Sequence, residues 1–342
     1  MAKIFIMKKY YPILLSKAGE LSALSHLSDD VKKEISPVIQ ILNENLDSTE
    51  NFLTSHWSFP ENQILLDFSL FENLDENIPT IQLFFSRLVA LGIKAIPVIQ
   101  QNSPNEYFDF VKDYILQSSQ VVCIRASNES GGFINFNDQA QNIITSLETN
   151  SANAIILFDL AYVQSTNYTT LAALAILTLE SLLNLNSNWS DIVLASGSFP
   201  ENLTGLVAGN VYELDRYEWH IWHLILNNTV LKNVVKYGDY GTKNPVFFAD
   251  INFAGTSSIK YTTENHFVIY RGELPQNHQR SMGQYIDQAA ILITTPAYSG
   301  ENFSWGDKRI NEIVSENNRP GNPRTWVEIS QNHHISLMTS LL

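Results

Sequence analysis

The chain has 342 residues, of which 44% are hydrophobic and 16% are charged. This balance predicts a folded protein with a large core and argues against a disordered polyelectrolyte. The formal net charge of -14 repels phosphate backbones and anionic lipid, so we expect neither general nucleic-acid binding nor membrane docking.

Export and membrane insertion are not expected either. The apolar stretch near the N-terminus is interrupted by Lys8, Lys9 and Lys17, so it lacks the apolar core of a signal peptide. We find no run of about 18 apolar residues, the length of a membrane span. The lone cysteine, Cys123, lies in an apolar run and is predicted to be a buried core thiol. We therefore expect a cytoplasmic protein.

Short apolar runs recur eight times along the chain. They cover residues 12–15, 37–41, 64–67, 95–99, 121–125, 155–159, 192–195 and 234–237. Continuous apolar runs rich in Val and Ile are typical of parallel strands that are buried on both faces. Between the runs, the spacing of apolar residues predicts helices over 20–33, 78–91, 170–185 and 212–226.

Alternation of strand and helix predicts an α/β fold, and eight repeats favour a closed (β/α)8 barrel of the TIM type over residues 1–241. A doubly wound open sheet is the main alternative, because a single sequence does not reveal closure. Beyond residue 241 the pattern predicts a hairpin over 258–271, helices near 281–293 and 306–316, and an apolar last segment over 325–342. We expect residues 242–342 to form a C-terminal α+β extension that packs on the barrel.

Polar residues at the C-terminal ends of the strands are candidates for a site, because this barrel carries its active sites there. They are Lys17, Asp67, Arg125, Asp159 and Asp239, which follow the first, third, fifth, sixth and eighth strands. One interpretation is a structural salt bridge at the barrel mouth. The other is a catalytic pocket in which Lys17 and Arg125 hold an anion and an aspartate acts as acid, base or metal ligand.

The loop over residues 196–200 follows the seventh run and contains Ser198. Backbone N–H groups in such a Gly-Ser turn suit a phosphate group, so Ser198 is a candidate ligand-binding residue. A Schiff base between Lys17 and pyridoxal phosphate is a further alternative, because some barrel enzymes use a lysine of the first strand in this way. We assign no cofactor from the sequence.

Two adjacent histidines, His333 and His334, lie near the C-terminus. Neighbours on a helix point about 100° apart, so one metal ion held by both is not expected, and we assign no metal site. His333 is a candidate catalytic base, and His334 with Trp326 is a candidate pocket wall. The alternative is packing with both ring nitrogens hydrogen-bonded.

Several motifs, in order over nearly the whole chain, resemble those of the beta protein family, which is named for a phage protein. The opening Tyr11-Pro12-Ile13-Leu14-Leu15 leads into Lys17-Ala18-Gly19-Glu20, similar to the family's Lys-x-Gly-Glu pattern. Further matches are residues 197–200, Arg216, Glu218-Trp219, 238–240, Tyr270-Arg271-Gly272, 303–307, Trp326 and 332–334. The resemblance adds Glu20 and Arg271 to the candidate ligand-binding residues.

This resemblance implies occurrence in phages and in bacterial gene sets that look mobile or defence-associated, and hence a role in phage–host conflict. Two functions stay open. The first is an enzyme that acts on a small phosphorylated or carboxylated ligand at the barrel mouth. The second is a non-catalytic recognition or regulatory subunit of a defence complex, which docks a protein partner on the extension.

Overall fold

The computed structural model describes residues 8–57, 62–118, 121–127, 133, 135–247, 255–316 and 319–342. The strands in chain order are β1 (Tyr10–Leu15), β2 (Val38–Gln40), β3 (Gln63–Asp67), β4 (Lys94–Ile99), β5 (Val122–Ser127), β6 (Ala154–Tyr162), β7 (Asp191–Gly197), β8 (Val211–Asp215), β9 (Val235–Asp239), β10 (Ile259–Thr262) and β11 (His266–Tyr270). The helices are α1 (Ala18–Ser25), α2 (Asp29–Glu34), α3 (Leu46–His56), α4 (Ile78–Ala90), α5 (Asn105–Ser118), α6 (Phe136–Ser146), α7 (Tyr168–Leu185), α8 (Tyr217–Leu226), α9 (Gln284–Leu292), α10 (Trp305–Glu316) and α11 (Pro323–Leu341).

Eight parallel strands close into a barrel in the order β1-β2-β3-β4-β5-β6-β7-β9. Pairing of β1 with β9 completes the closure, with Tyr10 opposite Tyr237 and Pro12 opposite Asp239. Each of the eight predicted apolar runs is one of these strands. The predicted (β/α)8 barrel is therefore confirmed, and the open sheet is excluded.

The barrel strands are apolar on both faces because successive side chains point alternately inward and toward the helices. Tyr11, Ile13 and Cys123 belong to a cluster that fills the barrel interior. Tyr10 and Leu14 belong to the larger cluster between the strands and the helices. Cys123 is fully buried, and this burial raises the pKa of its thiol, so the prediction of a core thiol is confirmed.

The C-terminal extension is built on a three-stranded antiparallel sheet in the order β10-β11-β8. The predicted hairpin is present as β10 and β11, with Ile259 opposite Tyr270. Helices α9, α10 and α11 pack on this sheet around a separate apolar cluster that includes Tyr261, Tyr285 and Trp326. The proposed domain boundary after residue 241 stays a prediction, and β8, which precedes it in the chain, contributes to this sheet.

The helix predicted over residues 212–226 is wrong in its first part. Residues 211–215 form β8, in which Tyr212 pairs with Ile269 and Leu214 with Phe267. Tyr212 and Leu214 are two residues apart, which is the period of a strand, and they pack on the cluster around Phe267. The helix itself begins only at Tyr217. The helix predicted over residues 20–33 is likewise two helices, α1 and α2.

Helix α7 is long and apolar enough to cross a membrane by length and composition. Its buried residues, Ala172, Ala175, Leu179 and Leu182, recur at three- and four-residue spacing and form one stripe. The helix contacts β6 and α8, as expected of a helix in the outer layer of the barrel. Helices α3, α5 and α6, which also belong to that layer, were not predicted from the sequence.

Candidate functional site at the barrel mouth

A buried ion cluster joins three of the predicted site residues beneath the mouth of the barrel. Arg125 donates to Asp67 and, through Nε and Nη2, to Oδ2 of Asp159 at 3.1 and 2.5 Å. The hydroxyl of Tyr240 accepts from Arg125 at 2.8 Å and donates to Asp159 at 2.6 Å. Strands β5 and β6 are adjacent and β4 separates them from β3, so these polar residues near the C-terminal ends of the three strands meet beneath the mouth.

Each carboxylate in this cluster also holds its own backbone turn. The second oxygen of Asp67 accepts from the N–H of Ser69, and that of Asp159 accepts from the N–H of Ala161, both at 2.9 Å. Both aspartates are at most 1% exposed. With their oxygens engaged and water excluded, the geometry favours the structural salt bridge over the catalytic pocket for these residues.

Asp239, at the end of β9, lies at the centre of a second buried network that joins the barrel to α11. Its Oδ1 accepts a hydrogen bond from the Tyr10 hydroxyl at 2.5 Å. Its Oδ2 accepts a hydrogen bond from the Tyr237 hydroxyl at 2.9 Å and lies at hydrogen-bond distance, also 2.9 Å, from Nε2 of His334. Burial alone would raise the pKa of Asp239, but His334, the guanidinium of Arg216 and the Tyr10 hydroxyl lower it to about 2. Asp239 is therefore a buried carboxylate that holds its charge.

The residues of the Arg216 motif and Ser198 belong to the same buried region. Arg216 is fully buried and donates to Glu218 at 2.8 Å and to the carbonyls of Thr263 and Glu264 at 3.1 Å. The hydroxyl of Ser198 donates to the other carboxylate oxygen of Glu218. Ser198 is thus engaged in joining the loop after β7 to α8, and its hydroxyl faces the protein interior.

His333 lies next to His334 on α11, and its ring contacts residues of the extension. Its Nδ1 is 2.8 Å from Oδ2 of Asp307, and its Nε2 is 2.8 Å from the carbonyl of Thr262. Both ring nitrogens of His333 therefore have a hydrogen-bond partner. Burial alone would raise the pKa of the Asp307 carboxyl, but the hydrogen bond and charge of His333, with hydrogen bonds from Ser304 and Tyr261, together lower it. This geometry matches the packing interpretation of the histidines.

An open cavity of about 230 Å³ lies at the C-terminal mouth of the barrel, and we call it the barrel-mouth cleft. It is lined by Ile13, Leu15, Lys17, Glu20, Gln40, Phe199, Pro200, Glu201, Tyr240, Lys243, Asn244, Pro245, Val246, Phe247 and Lys260. Of the predicted site residues, Lys17 and Glu20 line this cleft. Tyr240 separates it from the Arg125 cluster below.

A second cavity of about 750 Å³, here the outer groove, shares Phe199, Lys243 and Lys260 with the cleft. It lies between the barrel mouth and the extension, and its lining includes Arg271 and Trp326, two further predicted ligand-binding residues. Arg271 donates to the carbonyls of Leu206 and Gly272, and Trp326 is 3% exposed. The cleft and the groove thus bring together Lys17, Glu20, Arg271 and Trp326.

Two lysines that the sequence analysis missed, Lys243 and Lys260, line both cavities. Lys243 forms an ion pair with the buried carboxylate of Glu20, whose other oxygen accepts from the N–H of Leu15 at 2.8 Å. The Nζ of Lys260 lies 4.3 Å from the centre of the Phe199 ring. Lys243 lies four residues after the end of β9. Because polar residues just after a barrel strand are candidates for the site, this position could have identified Lys243 from the sequence.

Among the residues that the structure describes, no group of three or more His, Cys, Asp or Glu side chains has an arrangement that suits a metal ion. The chemistry that the cleft offers instead is that of ammonium groups on apolar and aromatic walls. Such a surface holds anions through charge and N–H donors, and its walls exclude water from part of the ligand.

Comparison with known proteins agrees with the motifs along the chain. The family model described as "Beta protein" matches residues 10–340. A relative, "Protein beta" of Enterobacteria phage P4, is 25% identical over 366 aligned positions, which cover 97% of this chain and 93% of the phage protein. The match to the family model spans the barrel and the extension together, so the chain belongs to the beta protein family.

Proposed function

We propose that the chain binds a small anionic ligand in the barrel-mouth cleft. The observation that carries this proposal is that Lys17, Lys243 and Lys260 line one cavity of a protein whose net charge is -14. The carboxylates of the same lining are Glu20, which Lys243 neutralises, and Glu201. A local excess of positive charge in a concave site concentrates anions there.

The contacts of two of these lysines leave N–H donors for a ligand. Within the described residues, neither Lys17 nor Lys260 has a carboxylate at ion-pair distance. Lys17 lies 5.3 Å from the centre of the Phe247 ring, and Lys260 lies over Phe199. A ring face attracts the charge of an ammonium group without accepting all of its hydrogen bonds. An anionic oxygen would supply the missing acceptors.

The proposal rests on the lysines because the other candidate catalytic residues make buried contacts. Arg125 forms ion pairs with Asp67 and with Asp159. Asp239 lies within hydrogen-bond distance of His334, and none of these residues lines the cleft. Their contacts support a role in holding the barrel mouth and the extension in place around the cleft.

Equilibrium dialysis with inorganic phosphate and with oxalate, at low ionic strength, tests the proposal. We expect the wild-type chain to bind at least one of them saturably. Lys260→Met should weaken that binding about tenfold or more, since a hydrogen bond to a charged group contributes about 1.5–3 kcal/mol. Lys232→Met, which removes the same charge from an exposed site in the loop before β9, should bind like the wild type. Absence of saturable binding, or equal weakening in both variants, would refute the proposal.

We further propose that this binding serves in phage–host conflict, which the phage relative supports. Expression of the chain in a bacterial host should change the plaque count of an infecting phage, and Lys260→Met should reduce that change while Lys232→Met should not. An identical plaque count with and without the chain contradicts this role. Recovery of one stoichiometric protein partner by a chain that binds neither anion would support the alternative, a non-catalytic subunit.

A further inference from the structure

Lys260 has a position that distinguishes it from the other lysines of the cleft. It lies on β10 of the extension, yet its Nζ reaches the barrel mouth, 3.5 Å from the carbonyl of Thr242 and above the Phe199 ring. The backbone there is held by α11, since the Ser330 hydroxyl donates to the Lys260 carbonyl at 2.8 Å. The amine therefore projects from a fixed strand to the junction of the cleft and the outer groove.

The surroundings of this amine disfavour its charged form. Its side chain is half-buried, and the described residues place no carboxylate at ion-pair distance from it. Burial, and next the positive charge of Lys243, lower the pKa of Lys260 to about 8. An ordinary lysine, with a pKa of about 10.4, holds only about one neutral amine in a thousand at pH 7.5. Lys260 holds a far larger neutral fraction at the same pH.

We propose that Lys260 forms a reversible imine with an anionic aldehyde or ketone bound in the cleft, an inference that rests on the proposed function. The neutral amine attacks the carbonyl carbon, a C–N bond forms, and the carbonyl oxygen becomes a hydroxyl as the nitrogen gives up a proton. The hydroxyl then leaves as water when the nitrogen loses its second proton and the C=N bond forms. An amine and a carbonyl thus give an imine and one water, with no change of oxidation state.

The neighbouring lysines, Lys17 and Lys243, would bind the anionic group of the ligand. Lys243 forms an ion pair with Glu20, so we assign it the role of an anchor and not of the nucleophile. Lys17 and Lys243 would hold the anionic group of the ligand in the cleft, and the carbonyl carbon would lie toward Lys260. The ligand class that fits is a short oxo acid or a phosphorylated aldehyde.

Reductive trapping tests the inference on the full chain with glyoxylate, a small anionic aldehyde, and cyanoborohydride, which converts an imine to a stable secondary amine. Peptide mapping by mass spectrometry should place the label on Lys260 at least tenfold faster than on exposed Lys232. Inorganic phosphate should slow this labelling, and its rate should be half-maximal near pH 8. Lys260→Arg keeps the cation but removes the nucleophile, so it should lose the fast label.

Two results separate this inference from the proposed function. If the wild-type chain binds phosphate or oxalate but Lys260 is labelled no faster than Lys232, the imine is overturned and the anion site stands. If the chain binds neither anion and also shows no preferred label, both are overturned. The neutral aldehyde propionaldehyde is a further control. If it labels Lys260 as fast as glyoxylate does, and phosphate does not slow this labelling, the assignment of an anionic ligand is overturned.

Discussion

Replacement of Asp239 by asparagine tests whether the charge of this buried carboxylate stabilises the contact between the barrel and α11. The substitution keeps the shape of the side chain but removes the charge that His334 and Arg216 face. A carboxyl whose pKa is about 2 in the folded protein and about 3.9 in the unfolded chain contributes about 2–3 kcal/mol to stability at pH 7. We expect Asp239→Asn to lose at least that amount.

The pH dependence of this loss follows from the same two pKa values. Because the pKa is lower in the folded state, the stabilisation is complete above about pH 4 and disappears as the pH falls through 2. The difference in the free energy of unfolding between wild type and Asp239→Asn should therefore shrink at pH 3 to about half of its value at pH 7. Urea unfolding followed by far-UV circular dichroism measures this difference at pH 7 and at pH 3.

The matched control is Asp75→Asn, because Asp75 is exposed and its substitution removes the same charge. It should change the unfolding midpoint little at either pH. A loss below about 0.5 kcal/mol in Asp239→Asn, or a gap that is as large at pH 3 as at pH 7, would refute the assignment of a charged, depressed carboxyl at this position.

Two further predictions concern the ion pairs near the cleft. Arg125→Met leaves Asp67 and Asp159 buried without their cation, and urea unfolding should show a loss of about 3–5 kcal/mol; a loss below about 1 kcal/mol would contradict the structural role of the cluster. Lys243→Met leaves the buried Glu20 carboxylate, among the described residues, with the Leu15 N–H as its remaining donor, and the same assay should show a loss of about 1–3 kcal/mol. Adding Glu20→Gln to Lys243→Met should recover most of this loss, and a double variant no more stable than the single one would show that the pair contributes little.

The barrel strands were predictable because each one is marked by a short stretch of consecutive residues in the sequence. Each strand is a short apolar run whose residues are buried on both faces, so the eight strands were visible in the sequence and their number favoured a barrel, although closure itself was not visible. Strand β8 was missed for the opposite reason. Its partner β11 lies about fifty residues later in the chain, and Tyr212 and Leu214 merge in the sequence with the apolar stripe of α8.

Some residues of the candidate site were likewise predictable from local sequence and others were not. Asp67, Arg125 and Asp159 lie near the C-terminal ends of β3, β5 and β6, so their meeting follows from the barrel alone. Lys260 lies on a hairpin whose local pattern is that of a solvated strand face. Its arrival at the barrel mouth depends on how the extension docks, through contacts such as that of His334 with Asp239, and no local pattern predicts that docking.

The sheet of the extension has a consequence for how such genes diversify. Its strands come from two separated parts of the chain, because β8 lies between β7 and β9 of the barrel while β10 and β11 follow the closing strand. A genetic crossover between codons 215 and 259 would transmit the hairpin from one parent and its third strand from the other. Because strands from both parents must still pair as one sheet, we expect barrel and extension to be inherited as one block and to diverge together.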